Sequence, residues 1–331
     1  MKYTLETIAE MCGVSVGTVD RAINNRPGIK EQTKQKILKT IEEVNYKPNK
    51  IAQSLAMGRT NTIGIVCFDL KNNYFAELVN AIEKAAKEKG YFINLILTHG
   101  NAEMEKQGIM YLEERHVDGI ILFSVCEVKK HAEYLKKLKI PVVTIYNKIS
   151  DDFSLVGIDA RDAMEHAVEF IVKKEYRRII FLNAAITEKK QQHMNVYTLQ
   201  ERQEGYIQGL EKYDLHKPII LEGVNEEKLL KSIEECRPHK TAVLCINDMF
   251  AIQVLEICKK HGISVPGQLG IMGYDNIEML KFISPRLCSV EYDVDVLGEN
   301  LFEELLDQMQ SPNKKRVNRI LAYRIIQGES I

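Results

Sequence analysis

A chain of 331 residues exceeds one ordinary domain and has length enough for two or three substantial cores. Apolar residues make up 45% and charged residues 27%, with no long apolar run and no low-complexity tract, so a soluble globular protein without a membrane span is expected. The first residues run straight into an acidic amphipathic segment and lack the apolar core of a secretory leader, which points to the cytoplasm. Charge is divided unevenly: up to Thr60 there are 10 Lys/Arg against 6 Asp/Glu, and beyond it 35 against 40. A small basic module joined to an acidic body suits nucleic-acid binding, because phosphate contacts supply the sequence-independent part of that affinity.

In chain order, Leu5, Ile8, Ala9 and Cys12 follow helical spacing behind a capping Thr4, and Gly13 ends that helix in a tight turn. Val14 anchors the turn and Ser15 caps a second helix over residues 16–24. Small Ala9 lets the second helix cross closely, and Val19 points back against it, which meets the steric needs of a helix-turn-helix. A third helix over residues 31–44 places Ile37, Leu38, Ile41 and Val44 on one side and Lys34, Lys36 and Lys39 largely on the other. By spacing alone, these are equally three helices of some larger helical domain.

Beyond Thr60, short apolar runs at residues 63–68, 92–97, 119–123, 142–146, 179–182, 242–246 and 269–272 alternate with amphipathic stretches such as 75–89 and 250–261. That alternation predicts parallel sheets with helices on both faces, and seven or more strands imply two lobes. The seven cysteines (Cys12, Cys67, Cys126, Cys236, Cys245, Cys258 and Cys288) are scattered and form no Cys-x-x-Cys pair, so they read as buried free thiols. The eight histidines show no i, i+4 pair, and neither a metal site nor any cofactor is expected.

The stretch Thr4-Leu5-Glu6-Thr7-Ile8-Ala9-Glu10-Met11-Cys12-Gly13-Val14-Ser15-Val16-Gly17-Thr18-Val19-Asp20-Arg21-Ala22-Ile23-Asn24, continued by Asn45-Tyr46-Lys47-Pro48-Asn49 and Ile51-Ala52-Gln53-Ser54-Leu55-Ala56, resembles the lactose-repressor (LacI/GalR) family of bacterial transcription regulators. The resemblance implies an all-α helix-turn-helix DNA-binding headpiece (residues 1–48), a hinge (49–60) and a two-lobed α/β domain like the periplasmic binding proteins (61–331). Lobe one would span about 61–160 and 292–320, and lobe two about 161–291 and 321–331. In the family the second helix enters the major groove, which makes Val16, Gly17, Asp20 and Arg21 the candidate base readers. A guanidinium fork pairs bidentately with guanine O6 and N7, and Val16 suits a thymine methyl. Gly17 offers no side chain. Asp20 stands where many relatives have serine, and orienting Arg21 is preferred over accepting from a cytosine amine. Ser15, Thr18, Asn24 and Asn49 are candidates for phosphate contacts, with helix capping an equal alternative for Ser15 and Asn24. The hinge would insert Leu55, with Ala56 beside it, into the minor groove as an apolar wedge.

Ligands of open parallel sheets bind outside the carboxyl ends of the strands. Asp69, Asn72, Tyr74 and Phe75 follow the first strand and resemble the family's effector-lining Asn-Pro-Phe-Phe segment, with Asn73 in place of proline. Arg202 matches the family arginine that binds effector hydroxyls or a carboxylate, Asn247 and Asp275 close other strands, and Asp159 lies near the predicted lobe junction. Such a set suits a neutral polyol. Asp248 and Asn276 read equally as helix caps. The stretch 184–199 is longer and more polar than usual, and the tail lacks the family's frequent Arg-x-Ser ending. No Gly-x-Gly-x-x-Gly, Walker or Gly-x-Ser-x-Gly element joins a strand to a helix, so no enzyme is expected. The expectation is a homodimer or larger assembly that represses from a pseudo-palindromic DNA operator under control of a sugar-like effector. An activator, or a corepressor-dependent regulator responding to a non-sugar metabolite, is the alternative.

Overall fold

A computed structural model describes residues 3–46, 58–126, 128–311 and 314–331. The chain divides into two compact units, Met1–Thr60 and Asn61–Ile331. Among the described residues, no helix is long and apolar enough to cross a membrane.

The first unit packs α1 (Leu5–Cys12), α2 (Val16–Ile23) and α3 (Glu31–Glu43) around Ile8, Ala9, Cys12, Val19, Ala22 and Ile37. Thr4 and Thr7 form a reciprocal capping box at the start of α1. Gly13 takes a left-handed φ of 68°, which lets Val14 N–H return to the Ala9 carbonyl at 3.0 Å and turn the chain sharply into α2. Lys36 Nζ reaches the Cys12 carbonyl at 3.0 Å and satisfies one of the open acceptors at the end of α1. Leu38, expected on the core side of α3, is 41% exposed. Three short helices provide too little interior to cover both it and its neighbour Ile37.

The second unit contains two parallel sheets. The first has the order β11-β5-β4-β3-β1-β2, built from β1 (Thr62–Cys67), β2 (Phe92–Leu97), β3 (Gly119–Leu122), β4 (Val142–Ile145), β5 (Ser154–Ile158) and β11 (Asn318–Leu321). Its helices are α4 (Asn73–Glu88), α5 (Ala102–Glu114), α6 (Val128–Lys137) and α12 (Val294–Gln310). The second sheet, β7-β6-β8-β9, uses β6 (Arg178–Asn183), β7 (Ile219–Glu222), β8 (Thr241–Cys245) and β9 (Gly270–Met272). It is flanked by α7 (Ala160–Lys173), α8 (Ile186–Gln191), α9 (Tyr197–Lys212), α10 (Glu226–Glu235) and α11 (Asp248–Lys260). A short antiparallel pair, β10 (Ser289–Glu291) with β12 (Arg324–Ile326), completes lobe two.

The chain therefore passes between lobes three times, after β5, between β10 and α12, and between β11 and β12. Strand-to-helix connections at the carboxyl ends of both sheets face the gap between them. Glycines set two of the closest helix contacts. A Cβ on Gly205 of α9 would stand 2.1 Å from the Arg161 carbonyl oxygen of α7, and one on Gly298 of α12 would stand 2.6 Å from Ala81 Cβ of α4.

All seven cysteines are buried and free. The apolar runs of the sequence become strands with shifts of a residue or so at their ends. Five further strands carry no such run. β5 is interrupted by Ser154 and Gly157, β7 and β11 are half-exposed sheet edges, and β10 and β12 are three residues long.

Candidate functional site

In the first unit, the outward face of α2 presents Ser15, Val16, Gly17 and Arg21, all exposed. The opposite face, carrying Val19 and Ala22, is buried against α1 and α3. Ser15 is an N-cap whose Oγ accepts from Thr18 N–H at 3.3 Å and lies 2.9 Å from Thr18 Oγ1. A Cβ on Gly17 would meet nothing nearer than Ser15 Oγ at 3.9 Å, so this position is open for close approach of a ligand's backbone or base. Asp20 does not hold Arg21. Its carboxylate accepts from Asn24 Nδ2 at 2.8 Å and from Arg26 Nη1 at 3.2 Å, across the turn that follows α2. The reason is geometric: Asn24 lies one helical turn along the same face, whereas adjacent side chains on a helix diverge by about 100°. Asn24 also donates to the Asp20 carbonyl at 3.0 Å and closes the end of the helix. Asn49, Leu55 and Ala56 lie outside the described residues.

In the second unit, a cavity of about 260 Å³ opens between the lobes. Lobe one contributes Phe68, Asn72, Tyr74, Phe75, Phe123, Tyr146 and Asn147, and lobe two contributes Asn195, Thr198, Arg202, Asn247, Phe250 and Asp275. Phe75 packs edge-on against both Phe68 (4.4 Å between centroids) and Phe123 (5.3 Å), which gives one wall an aromatic surface. Tyr74 and Tyr146 join hydroxyl to hydroxyl, and Tyr292 donates to Asp275 Oδ1 at 2.7 Å. Burial pushes the phenols of Tyr74, Tyr146 and Tyr292 upward, so they stay neutral and able to donate.

Arg202 is the polar centre of the opposite wall. Its Nη1 donates to the Ile246 carbonyl at 2.5 Å, its guanidinium lies 3.6 Å from the Tyr274 ring centroid, and Nη2 stands 3.7 Å from Asp275 Oδ1. Its Nε is buried with no hydrogen-bond partner. Burial raises the Asp275 carboxyl to about 6, with Arg202 and the Tyr292 hydroxyl pulling the other way. The backbone there is held in an unusual form, with φ of 106° at Asp275 and 48° at Asn276. A carboxyl beside a fixed guanidinium offers a ligand hydroxyl an acceptor and a donor side by side.

Other polar groups at the cleft fasten one lobe to the other. Asn147 donates to the Ser124 carbonyl at 2.8 Å and accepts from Thr198 N–H at 3.2 Å. Asn195 N–H meets the Val125 carbonyl at 3.0 Å, and its Nδ2 meets the Lys148 carbonyl at 3.2 Å. Asn72 and Asn247 line the cavity while capping α4 and α11. Asp69 and Asp159 do not line it. Asp69 accepts from Lys71 N–H at 2.8 Å in a tight turn, and exposed Asp159 caps α7 through Asp162 N–H at 3.0 Å. Asp248 is fully buried and bonded to Ser289 Oγ at 2.7 Å and Ile277 N–H at 2.9 Å, so it braces the loop that carries Asp275. Asn276 donates to Glu291 at 2.6 Å.

Comparison with known proteins meets this architecture at both ends. Residues 4–49 match the model for bacterial regulatory proteins of the lacI family, and residues 168–331 match the periplasmic binding protein-like domain. Catabolite control protein A of Priestia megaterium is 30% identical over 321 residues, covering 93% of this chain and 94% of that protein. This chain belongs to the lacI family of bacterial regulatory proteins. The HTH-type transcriptional repressor PurR of Vibrio vulnificus (strain CMCP6) is 28% identical over 323 residues, covering 95% and 94%. The lac repressor dimer bound to operator and the anti-inducer ONPF superposes with a TM-score of 0.84 at 21% identity over 100% of this chain and 99% of that one, and so shares the fold.

This lacI-family chain is thus a transcription regulator with a helix-turn-helix headpiece and a two-lobed effector domain. The fold brings the expected Asn72, Tyr74, Phe75, Arg202, Asn247 and Asp275 to one cleft, together with Phe68, Phe123, Tyr146, Asn147, Asn195, Thr198 and Phe250, which the sequence did not single out. Tyr146 and Asn147 immediately follow a strand, so the strand-end rule would have found them. Asn195 and Thr198 come from the long polar stretch 184–199, whose function was not legible from its residues.

Proposed function

We propose that this lacI-family regulator acts as a homodimeric repressor on a pseudo-palindromic DNA operator, and that a sugar or sugar derivative in the interlobe cleft sets its operator affinity. The observation that carries the effector reading is the pairing of an aromatic wall (Phe68, Phe75, Phe123) with the Arg202 and Asp275 groups across a cavity of about 260 Å³. Aromatic faces suit the C–H side of a pyranose, and the fixed guanidinium and carboxyl suit vicinal hydroxyls. The volume falls below the 300–1,000 Å³ typical of drug-sized ligands and favours a small one. Because Asn195, Thr198 and Asn147 bridge the lobes directly beside the cavity, a ligand there competes with or reinforces these contacts. Lobe closure is thereby coupled to occupancy.

On the DNA side, Arg21 reads a guanine, Val16 contacts a thymine methyl, and Gly17 lets the helix approach closely. Asp20, occupied by Asn24 and Arg26, shapes the exit from α2 rather than reading a base. Ser15 and Thr18 position a phosphate through the exposed start of the helix.

The test is a thermal-shift screen of the full chain against sugars, polyols and purines, followed by operator binding with each hit. A ligand that binds only the native state raises the melting temperature, by an amount that grows with its concentration over Kd. Stabilisation by a sugar, with a change in operator affinity alongside it, is the expected outcome. Stabilisation by purines alone would replace the sugar with a nitrogenous metabolite.

A further inference from the structure

Away from the cavity wall, lobe one brings together three side chains of unlike chemistry from three separate elements. Glu105 stands on the first turn of α5, Cys126 lies in the loop after β3, and His131 projects from α6. All three are buried, at 0%, 2% and 3% exposure, and their donor atoms lie within 4.8 Å of one another.

The hydrogen bonding around them is incomplete in an informative way. Glu105 is held rigidly, with Ser124 Oγ donating to Oε1 at 2.8 Å and Val125 N–H donating to Oε2 at 2.6 Å. His131 Nε2 stands 2.7 Å from Glu105 Oε1, yet neither ring nitrogen has a hydrogen-bond partner of acceptable geometry. A buried ion pair would aim an N–H along that short separation. An imidazole buried without a well-directed hydrogen bond is costly. The Cys126 thiol faces the Ala102 carbonyl at 3.3 Å, and burial pushes its pKa up.

We propose that Glu105, Cys126 and His131 form a three-ligand site for a thiophilic divalent cation, with zinc as the reference ion. Carboxylate, thiolate and imidazole are its usual donors, and one of each leaves a fourth tetrahedral position for water. On binding, the Cys126 S–H bond breaks, the proton passes to solvent, and the sulfur lone pair forms the metal bond. Two anionic ligands then neutralise the 2+ charge, which makes burial tolerable. Ser124 and the Val125 amide supply the outer hydrogen bonds that orient a metal-bound carboxylate.

The site sits where occupancy has mechanical consequences. Val125 accepts from Asn195 N–H of lobe two at 3.0 Å, Cys126 bridges to Met194, and both Val125 and Met194 line the cleft. A metal that fixes Cys126 stiffens the strap between lobes and makes effector response depend on metal supply.

The experiment uses the full chain, freed of metal and kept reduced with a phosphine. Zinc titration against a chromophoric chelator should give one ion per chain, and cobalt should give a near-ultraviolet thiolate charge-transfer band. Cys126→Ser and His131→Gln should each weaken zinc binding by about 100-fold or more and abolish any zinc-induced rise in melting temperature. No zinc binding by the parent chain, or binding unchanged in Cys126→Ser, overturns the site. Should both variants fail to fold, zinc X-ray absorption on the parent chain decides: one sulfur at about 2.3 Å with nitrogen and oxygen ligands supports it, and a sulfur-free shell overturns it.

Discussion

Replacing Arg202 with methionine keeps most of the side chain's bulk and removes its charge, which isolates what the guanidinium contributes to the cleft. At 3.7 Å from Asp275 and an effective dielectric of about 20, the bare attraction is about 4–5 kcal/mol. Both groups are buried, so their desolvation offsets much of that, leaving a net coupling of about 1–3 kcal/mol. The lost bond to the Ile246 carbonyl adds a further contribution of about 1–3 kcal/mol, because the donor is charged. Arg202→Met should therefore destabilise the chain by about 2–6 kcal/mol in urea unfolding followed by circular dichroism. Asp275→Asn removes the partner, and the double variant completes a thermodynamic cycle. If Arg202→Met lost less than about 0.5 kcal/mol, or if the two substitutions were additive within about 0.5 kcal/mol, the guanidinium and carboxyl would not form the coupled pair described above.

Three other outcomes follow from the same structure. Because folding raises the Asp275 carboxyl from 3.8 to about 6, the native state binds more protons than the unfolded one between those values. Its contribution to stability is then full below about pH 4 and declines as pH rises through 6, by about 3 kcal/mol for a shift of roughly two units. Asp275→Asn should flatten this decline, and an unaltered pH profile of the urea midpoint would exclude Asp275 as its source. Arg21→Ala should weaken binding to a selected operator by about 1–3 kcal/mol and relax preference at a single base pair, measured by fluorescence anisotropy across single-base variants. Unchanged affinity and preference would remove α2 from the major groove. Gly205→Ala forces a Cβ to within 2.1 Å of the Arg161 carbonyl, and since backbone there has little room to yield, it should destabilise lobe two by about 1–3 kcal/mol. A melting temperature equal to that of the parent chain would mean that α7 and α9 part easily.

The headpiece was readable because its structure is local. Thr4, Ala9, Gly13, Ser15 and Val19 lie within one turn-helix unit, and capping, close crossing and left-handed φ are properties of neighbours in sequence. The alternating lobes were readable for a related reason, since strands buried on both faces must be apolar throughout. The strands that escaped notice, such as β7 and β11, lie at sheet edges where one face meets solvent and the apolar run is diluted.

Side-chain partnerships were a different matter. Asp20 bonds to Asn24 and Arg26 instead of its neighbour Arg21, because helix geometry and the following turn decide which groups meet. Arg202 was singled out in the sequence, but its contacts with Tyr274, Ile246 and Asp275 exist only once β8, β9 and α9 converge. Glu105, Cys126 and His131 have no metal-binding spacing in the sequence, and folding gathers them from two helices and a loop. Periodicity and capping act over a few residues, so most packed segments and the outward face of α2 were legible along the chain. Which polar groups share a buried space emerges on folding, because it depends on contacts between elements far apart in the chain.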